Sequence, residues 1–389
     1  MEIELKKLGE ITTGNTPSKK DGSYWDSEDI CFVKPDRIAD EGITLINDSS
    51  EYISENARSK ARVVSKDAVF VTCIGSIGKI GIASSGDYAF NQQINAIEPN
   101  EKVLPRYLAY NLLYSKPRLE AIANAPVVPI INKTQFGDFK LNIEEDIAKQ
   151  AEIVSVLDKL TGIIEYRKIE LESFDELIKA RFVEAFGNPV TNDKGWSTDS
   201  CKNLMKKIGS GATPKGGREG YCDEGISLIR SMNVYNNRFE YKDLAHITDE
   251  QAEQLDNVTI EKSDVLLNIT GASVARCCVV PDDLLPARVN QHVSIIRCKE
   301  NLLPEFVCSM FTEDNYQRLL WNIATAGGAT REAITKQQIE DLQLIVPPLD
   351  LQKQFMEFVN QVDKSKVAVQ KSLDETQLLF NSLMQKYFG

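Results

Sequence analysis

Two similar loops carry the residues best suited to binding chemistry. One is Ser76-Ile77-Gly78-Lys79, and the other, 197 residues later, is Ser273-Val274-Ala275-Arg276. Each combines a hydroxyl group, small residues that expose backbone N–H groups, and a terminal cation, and such a set can hold a phosphate group. An ordinary turn with a solvated cation explains the same residues equally well, so both interpretations stay open.

A second stretch suited to a polyanion lies at positions 202–218, which contain no acidic residue. As one basic face it could follow a nucleic-acid backbone, although a merely solvated segment would look the same. Its cations are Lys202, Lys206, Lys207, Lys215 and Arg218.

Polar residues that follow predicted strands could read base edges. They are Lys34, Asp36 and Arg37 in the first half of the chain, and Arg230 and Asn233 in the second. Arginine, lysine and asparagine are side chains that recognise guanine and adenine in the major groove. The two sets differ while their surroundings repeat. This is expected if each set reads its own sequence, but drift would also produce it.

A pair of amides also occurs twice, as Asn91-Gln92 and Asn290-Gln291. Both pairs lie between apolar stretches, which favours buried side chains whose hydrogen bonds fix a turn. We therefore predict a structural role for them in preference to base reading.

Motifs for catalysis, nucleotides or metals are missing from the sequence. The series Gly75-x-x-Gly78-x-x-Gly81 has the wrong spacing for a dinucleotide site, and the segment from Gly211 to Gly217 lacks the Gly-Lys-Ser/Thr ending of a P-loop. Eight cysteines without a Cys-x-x-Cys pair and only two histidines argue against zinc. We predict no catalytic residue, metal or cofactor, so the chain is expected to bind and not to react.

Length and composition indicate a multidomain globular chain. Its 389 residues are 42% hydrophobic and 26% charged, without an apolar run of the roughly 18 residues needed for a membrane span. The N-terminus lacks the apolar core of a signal peptide, so we predict a cytoplasmic protein. The net charge of −12 argues mildly against a nucleic-acid partner, although total charge constrains a local surface poorly.

Two long heptad patterns organise the chain. Apolar residues alternate in steps of three and four over residues 153–185, and the register returns 202 positions later over residues 355–387. Arg167 and Arg181 interrupt the first pattern, and Lys366 and Thr376 interrupt the second. We predict two helices that pair antiparallel; two amphipathic helices on separate surfaces are the alternative.

The globular parts repeat as well, at an offset of 197 residues in their first half. Gly14-x-Thr16-Pro17 returns as Gly211-x-Thr213-Pro214, and Ile131-Asn132-Lys133 returns as Ile334-Thr335-Lys336. We predict globular domains at 1–144 and 188–346 and helices at 145–187 and 347–389. Antiparallel helices would then hold the two domains at a fixed separation.

This order resembles the specificity (S) subunit of type I restriction–modification enzymes. The resemblance covers nearly the whole chain and includes the Gly-x-Thr-Pro motifs, the amide pairs, and the helix ends Phe186-Gly187 and Phe388-Gly389. Lys149-Gln150 and Lys353-Gln354 would open the helices, but their offset of 204 residues departs from 202. The sequence Ile143-Glu144-Glu145-Asp146 also lacks the prolines of Pro347-Pro348-Leu349.

The resemblance implies an α+β fold with two similar mixed α/β target-recognition domains, separated by two long antiparallel coiled-coil helices in a pseudo-two-fold repeat. It implies a non-catalytic subunit that recognises a bipartite, asymmetric site in double-stranded DNA. Modification (methyltransferase) subunits, two in number, and restriction subunits are the implied partners, and they would supply the S-adenosylmethionine and ATP chemistry.

The candidate DNA-binding residues are drawn from the loops and motifs above. A scaffold that grips proteins through two heads is the alternative favoured by the acidic charge, and a nuclease with unrecognised carboxylates is a further one. The candidates are Thr16, Lys34, Arg37, Ser76, Lys79, Lys133, Thr213, Lys215, Arg230, Asn233, Ser273, Arg276, Arg331 and Lys336.

Overall fold

The chain folds into two units, each built from one globular part and a segment of each long helix. The structure, a computed structural model, describes residues 1–123, 128–213, 217–326 and 332–389, apart from the side chains of residues 218 and 219. The first unit comprises Met1–Lys168 and Lys371–Gly389, and the second comprises Ile169–Gln370.

Short strands separated by turn residues form most of the first globular part. Its elements are β1 (Glu2–Glu4), β2 (Gly9–Thr13), β3 (Ile30–Val33), β4 (Ile43–Ile46), β5 (Tyr52–Ile53), β6 (Val63–Ser65), β7 (Val69–Thr72), β8 (Ile80–Ala83), β9 (Asp87–Phe90), β10 (Ile94–Pro99), α1 (Pro105–Tyr114), α2 (Lys116–Ile122), α3 (Lys133–Asp138) and β11 (Lys140–Asn142), followed by the long helix α4 (Ile147–Phe186).

These strands form two main sheets in the first unit. The larger has the order β2-β10-β7-β8-β4, and the smaller has the order β5-β3-β9-β6, in which β3 and β9 run parallel. Strands β1 and β11 pair separately. Strand β7 is buried at every residue and apolar except for Thr72, as expected for a central strand covered on both faces.

The second globular part has closely similar elements. They are β12 (Thr198–Ser200), α5 (Cys201–Leu204), β13 (Met205–Ser210), β14 (Ile226–Ile229), β15 (Val234–Tyr235), β16 (Arg238–Phe239), β17 (Ala245–Ile247), α6 (Asp249–Glu253), β18 (Val265–Asn268), β19 (Cys277–Val279), β20 (Ala287–Val289), β21 (Val293–Cys298), α7 (Pro304–Thr312), α8 (Asp314–Thr325), α9 (Lys336–Glu340) and β22 (Gln343–Ile345), followed by the long helix α10 (Leu349–Phe388).

The sheet order of the second unit repeats that of the first. The series β13-β21-β18-β19 corresponds to β2-β10-β7-β8, and β17-β14-β20 corresponds to β5-β3-β9, again with a parallel pair. The sheets differ at two places. Strand β6 pairs with β9 in the first unit, whereas no strand takes that place beside β20 in the described part of the second. The segments that follow β3 and β14 also differ. The first unit adds β4 beside β8, whereas the second forms the separate hairpin β15–β16.

The long helices pair antiparallel within the second unit. Asp175 of α4 lies 2.6 Å from Lys366 of α10, and further along α4 the ring of Phe186 lies 5.4 Å from that of Phe355. Residue numbers therefore rise along one helix as they fall along the other. In the first unit, Leu157 shares a buried cluster with residues of the last turns of α10.

The structure differs from the heptad prediction at Arg181. Arg181 is exposed and its guanidinium lies 5.8 Å from the ring of Phe358, while the next residue, Phe182, is 1% exposed and enters the core. An aromatic ring gains more by burial than a charged group, so the helix turns this neighbour inward.

The structure also corrects the predicted match between the two helix starts. Gln150, completely buried, accepts a hydrogen bond from the backbone N–H of Leu104 at 2.8 Å, and Gln352 does the same for Leu303 at 2.9 Å. Gln354, which the sequence paired with Gln150, is exposed. The true counterparts are 202 residues apart, so the copies do not differ in length here.

The predicted fold class is therefore confirmed: two similar mixed α/β parts, each associated with long helices that pair antiparallel. No helix in the described part of the chain combines the length and the apolar character needed to cross a bilayer.

Candidate nucleic-acid interface

A threonine and a glutamine from distant motifs meet in each unit. In the first, the Thr16 hydroxyl donates to Oε1 of Gln92 at 3.0 Å, and in the second Thr213 donates to Gln291 in the same way. All four side chains are exposed. The repeated motifs thus form one polar surface feature in each unit.

A glycine lets these motifs approach each other. At Gly14 an added Cβ would lie 2.2 Å from the carbonyl oxygen of Asn91, and at Gly211 it would lie 1.7 Å from that of Val289. No side chain fits at those distances, because they are well below a normal van der Waals contact. The loops therefore follow the neighbouring strand through their backbones, and the threonine two residues later reaches the glutamine.

The amide pairs divide into a buried member and an exposed one. Asn91 and Asn290 are 7% and 5% exposed, and each accepts a hydrogen bond from the backbone N–H two residues later. This agrees with the predicted turn. The prediction was wrong for Gln92 and Gln291, which are exposed because the turn points them outward.

In the second unit a histidine that the sequence analysis did not select lies beside the Thr213–Gln291 contact. His292 shares a hydrogen bond of 2.6 Å with the Thr270 hydroxyl through Nδ1, and its Nε2 lies 3.1 Å from Nε2 of Gln291. Its position directly after Asn290-Gln291 could have identified it. Hydroxyl, amide and imidazole groups of this kind can exchange hydrogen bonds with bases or phosphates.

The residues after β3 and β14 lie next to the amide turns, because Asn91 donates its backbone N–H to Val33 and Asn290 donates to Ile229, both at 3.1 Å. Lys34 follows Val33 and forms an ion pair with Glu51, and this hydrogen bond lowers the pKa of the Glu51 carboxyl. Arg37 is exposed nearby.

In the second unit, Arg230 donates to the backbone oxygen of Asp243, and its guanidinium lies 5.5 Å from the ring of Tyr221. The structure does not support the predicted base-reading role of Asn233. It is completely buried, and its side-chain amide donates to the backbone oxygens of Glu240 and Lys242. It therefore holds the loop in place and has no surface to offer DNA.

The two predicted phosphate loops differ in their cations. Ser76 is exposed, but Lys79 is only 14% exposed in its side chain and lies 2.8 Å from the Asp40 carboxylate. Ser273 is half-buried, and the guanidinium of Arg276 lies 4.5 Å from the ring of Tyr235. The cation is neutralised in the first unit and lies on an aromatic face in the second.

The remaining candidates begin short helices or fall outside the description. Lys133 and Lys336 are exposed first residues of α3 and α9, whose N-termini are capped by Asn132 and Thr335. Lys215 and Arg331 lie outside the described residues.

A basic surface groove in the second unit brings Lys336 together with part of the predicted basic segment. It has a volume of about 540 Å³, and its lysines are Lys202, Lys206, Lys207 and Lys336. Glu340 lies 3.6 Å from Lys336. Within the described part of the chain, the other three lysines form no ion pair. The groove can therefore attract a polyanion. Across all the residues that the structure describes, no group of three or more His, Cys, Asp or Glu side chains could hold a metal ion.

Comparisons with known proteins agree with this arrangement. A family model described as "Type I restriction modification DNA specificity domain" matches residues 1–173 and 194–376. The MjaIX specificity subunit of Methanocaldococcus jannaschii is 23% identical, with 98% of this chain and 91% of the relative aligned. The EcoR124I/EcoR124II specificity subunit of Escherichia coli is 28% identical over about half of either chain, 46% of this one and 48% of the relative.

Solved structures share the fold at low identity. The S subunit of a type I restriction–modification system from M. genitalium aligns with a TM-score of 0.55 and 12% identity, covering 100% of this chain and 96% of the other. A chain solved in work on complex assembly and conformational transition of the type I R-M system gives a TM-score of 0.62 at 15% identity, covering 100% and 97%.

Fold and surface thus define a duplicated, DNA-directed binding protein. The chain belongs to the type I restriction–modification DNA specificity family, which confirms the resemblance found in the sequence. Members of this family are the non-catalytic subunits that provide DNA sequence specificity, so this chain is not an enzyme by itself.

Proposed function

We propose that this chain recognises a bipartite, asymmetric site in double-stranded DNA, one half with each globular domain. The predicted boundaries make residues 1–144 and 188–346 the two readers. The main support for the proposal is that the two units share the same backbone arrangement but present different side chains at corresponding surface positions. The Thr–Gln contact recurs in both units, whereas Lys34 and Arg230 occupy corresponding places with different partners. A shared frame positions the DNA, and unlike side chains read unlike sequences.

Methylation mapping tests this proposal. The chain, produced with its modification (methyltransferase) subunit, should direct adenine methylation to a single split motif. Replacing Arg230 with Gln should relax one half of that motif only, and replacing Arg37 with Gln should relax the other half only. Methylation spread over unrelated sequences, or a variant that alters both halves equally, would contradict a division of labour between the domains.

We also propose that the long helices set the unread gap and bind the partner subunits. Among the described apolar side chains of these helices in the first unit, the most exposed are Ile163 at 42%, Tyr166 at 69%, Leu378 at 72% and Leu379 at 50%. Exposed apolar side chains in such number are typical of a surface that a partner covers. Modification subunits, two in number, together with restriction subunits, are the proposed partners, and the cytoplasm is the proposed location.

Two experiments address the helices separately. Tyr166→Glu should abolish co-purification of the modification subunit, whereas Glu165→Gln, an exposed neighbour, should not. Insertion of seven residues into each helix should lengthen the gap between half-sites and leave the half-sites unchanged. An unaltered gap would show that the helices do not determine it.

The acidic net charge favours the alternative of a scaffold that binds proteins. Such a scaffold would not itself bind DNA in a salt-dependent manner. DNA binding whose affinity falls as salt rises would therefore exclude it.

A further inference from the structure

Two arginines of the second unit converge on one tyrosine. The guanidinium carbons of Arg276 and Arg238 lie 4.5 and 4.8 Å from the ring centroid of Tyr235. Arg276 has no hydrogen bond or ion pair from its guanidinium within the described residues. Among the residues that the structure describes, the Arg238 guanidinium forms one ion pair, with Glu240 at 3.4 Å, and its side chain is 62% exposed. Two like charges on one ring repel each other, and the single carboxylate of Glu240 leaves a net positive charge, so a further anion beside them would be favourable.

The hairpin β15–β16 holds these groups in place. Its turn residue Asn237 has a φ of 54°, which asparagine tolerates, and its backbone N–H donates to the Cys277 oxygen at 2.8 Å. The Asn237 side chain also donates to the Thr312 hydroxyl at 3.0 Å. Cys277 directly follows Arg276, so these bonds fix Tyr235 and Arg238 relative to Arg276 before any ligand binds.

The first unit has a different arrangement at the corresponding place. Lys79, the counterpart of Arg276 in the repeat, lies 2.8 Å from the Asp40 carboxylate, and Lys116 donates to the backbone oxygen of Asp40 at 3.0 Å. The hydrogen bond from Lys79 lowers the pKa of Asp40, so this carboxylate stays charged at neutral pH. The cation is therefore already balanced by an exposed carboxylate of the same unit.

We propose that Arg238 and Arg276 bind a phosphate group of the DNA backbone, and that the first unit has no equivalent contact. Arginine suits this ligand, because its planar guanidinium donates several hydrogen bonds to phosphate oxygens. The proposal rests on the proposed DNA-binding function. It assigns more of the salt-dependent affinity to the second unit, which also carries the lysine groove.

Fluorescence anisotropy with a labelled duplex of mixed sequence tests the proposal. The full chain, alone and with its modification subunits, is titrated between about 50 and 200 mM NaCl, and log affinity is plotted against log salt. The double variant Arg238→Gln with Arg276→Gln should flatten the slope by roughly 1 to 2, since each phosphate contact contributes about 0.9. The matched variant Lys79→Gln should leave the slope unchanged.

A charge-preserving variant and the wild type distinguish failure of the phosphate-binding proposal from failure of the proposed DNA-binding function. Arg238→Lys with Arg276→Lys should retain most of the slope, whereas a loss equal to that of the glutamine variant would show that packing and not charge matters, and would overturn the proposal. An unchanged slope in the glutamine variant, or an equal loss in Lys79→Gln, would also overturn it while DNA binding itself stands. Wild type that binds no duplex in either form would instead refute the proposed function.

Discussion

Gln352 should be among the most sensitive polar residues of the second unit. It is completely buried; its Oε1 accepts from the backbone N–H of Leu303 at 2.9 Å, and its Nε2 donates to the oxygens of Asn301 and Pro347 at 3.1 and 2.8 Å. Gln352→Leu keeps a similar volume but leaves three backbone groups without partners. Each such group costs about 1–3 kcal/mol when buried, so we expect a total loss of about 3–5 kcal/mol after relaxation.

Urea unfolding followed by tryptophan fluorescence measures this loss. Trp196 and Trp321 belong to the second unit, and Trp25 belongs to the first, so most of the signal reports the unit that is perturbed. The matched control is Gln354→Leu, two residues away and exposed, which should change stability by no more than about 0.5 kcal/mol. Equal effects of the two substitutions would refute the argument from hydrogen bonding. A larger effect at Gln354 would restore the helix match suggested by the sequence.

Three further predictions use matched positions in the chain. Asp264→Asn should cost about 3–5 kcal/mol in urea unfolding, because this fully buried carboxylate receives two N–H groups of Arg297 at 2.8 Å; its exposed counterpart Asp67→Asn should cost little. Gly211→Ala should lower the melting temperature and weaken DNA binding, because its Cβ would meet a backbone oxygen, whereas Gly209→Ala has open space; equal effects would refute this explanation. Asp40→Asn should release Lys79 and steepen the salt dependence of DNA binding by up to about 0.9 in the anisotropy assay, and an unchanged slope would show that Lys79 does not reach DNA.

The pH dependence of the Asp40 pair follows from the direction of its pKa shift. The folded protein lowers the pKa of Asp40 below its ordinary 3.8, mainly through the hydrogen bond from Lys79. The Asp40–Lys79 ion pair is therefore fully formed above pH 3.8, and it is lost as the pH falls through the lowered pKa of Asp40. Lys79 should consequently remain neutralised throughout the neutral range.

The internal repeat and the paired helices could be predicted from sequence, because each depends only on residue types at fixed positions. A heptad seam needs only apolar residues at fixed spacing, and the glycine of Gly-x-Thr-Pro is required by close backbone approach in both copies. The exposure of Gln92 could not be predicted, because the turn at Asn91 sends neighbouring amides in opposite directions. Asn233 was misassigned for a similar reason: its residue type suits base reading, but only three-dimensional contacts reveal that its amide is already occupied.

The choice between β4 and the hairpin β15–β16 explains why the two units should contact DNA differently. The orders β2-β10-β7-β8 and β5-β3-β9 both recur in the second unit, and this change lies in the segment after β3 or β14. In the first unit this segment contributes Asp40 to neutralise Lys79, and in the second it contributes Tyr235 and Arg238 beside Arg276. A local change of this kind keeps the order β2-β10-β7-β8 and that of its counterpart strands, although each version also buries a residue of its own, Ile46 in β4 and Val234 in β15. Sequence specificity and backbone affinity can then diverge between the units without loss of the common fold.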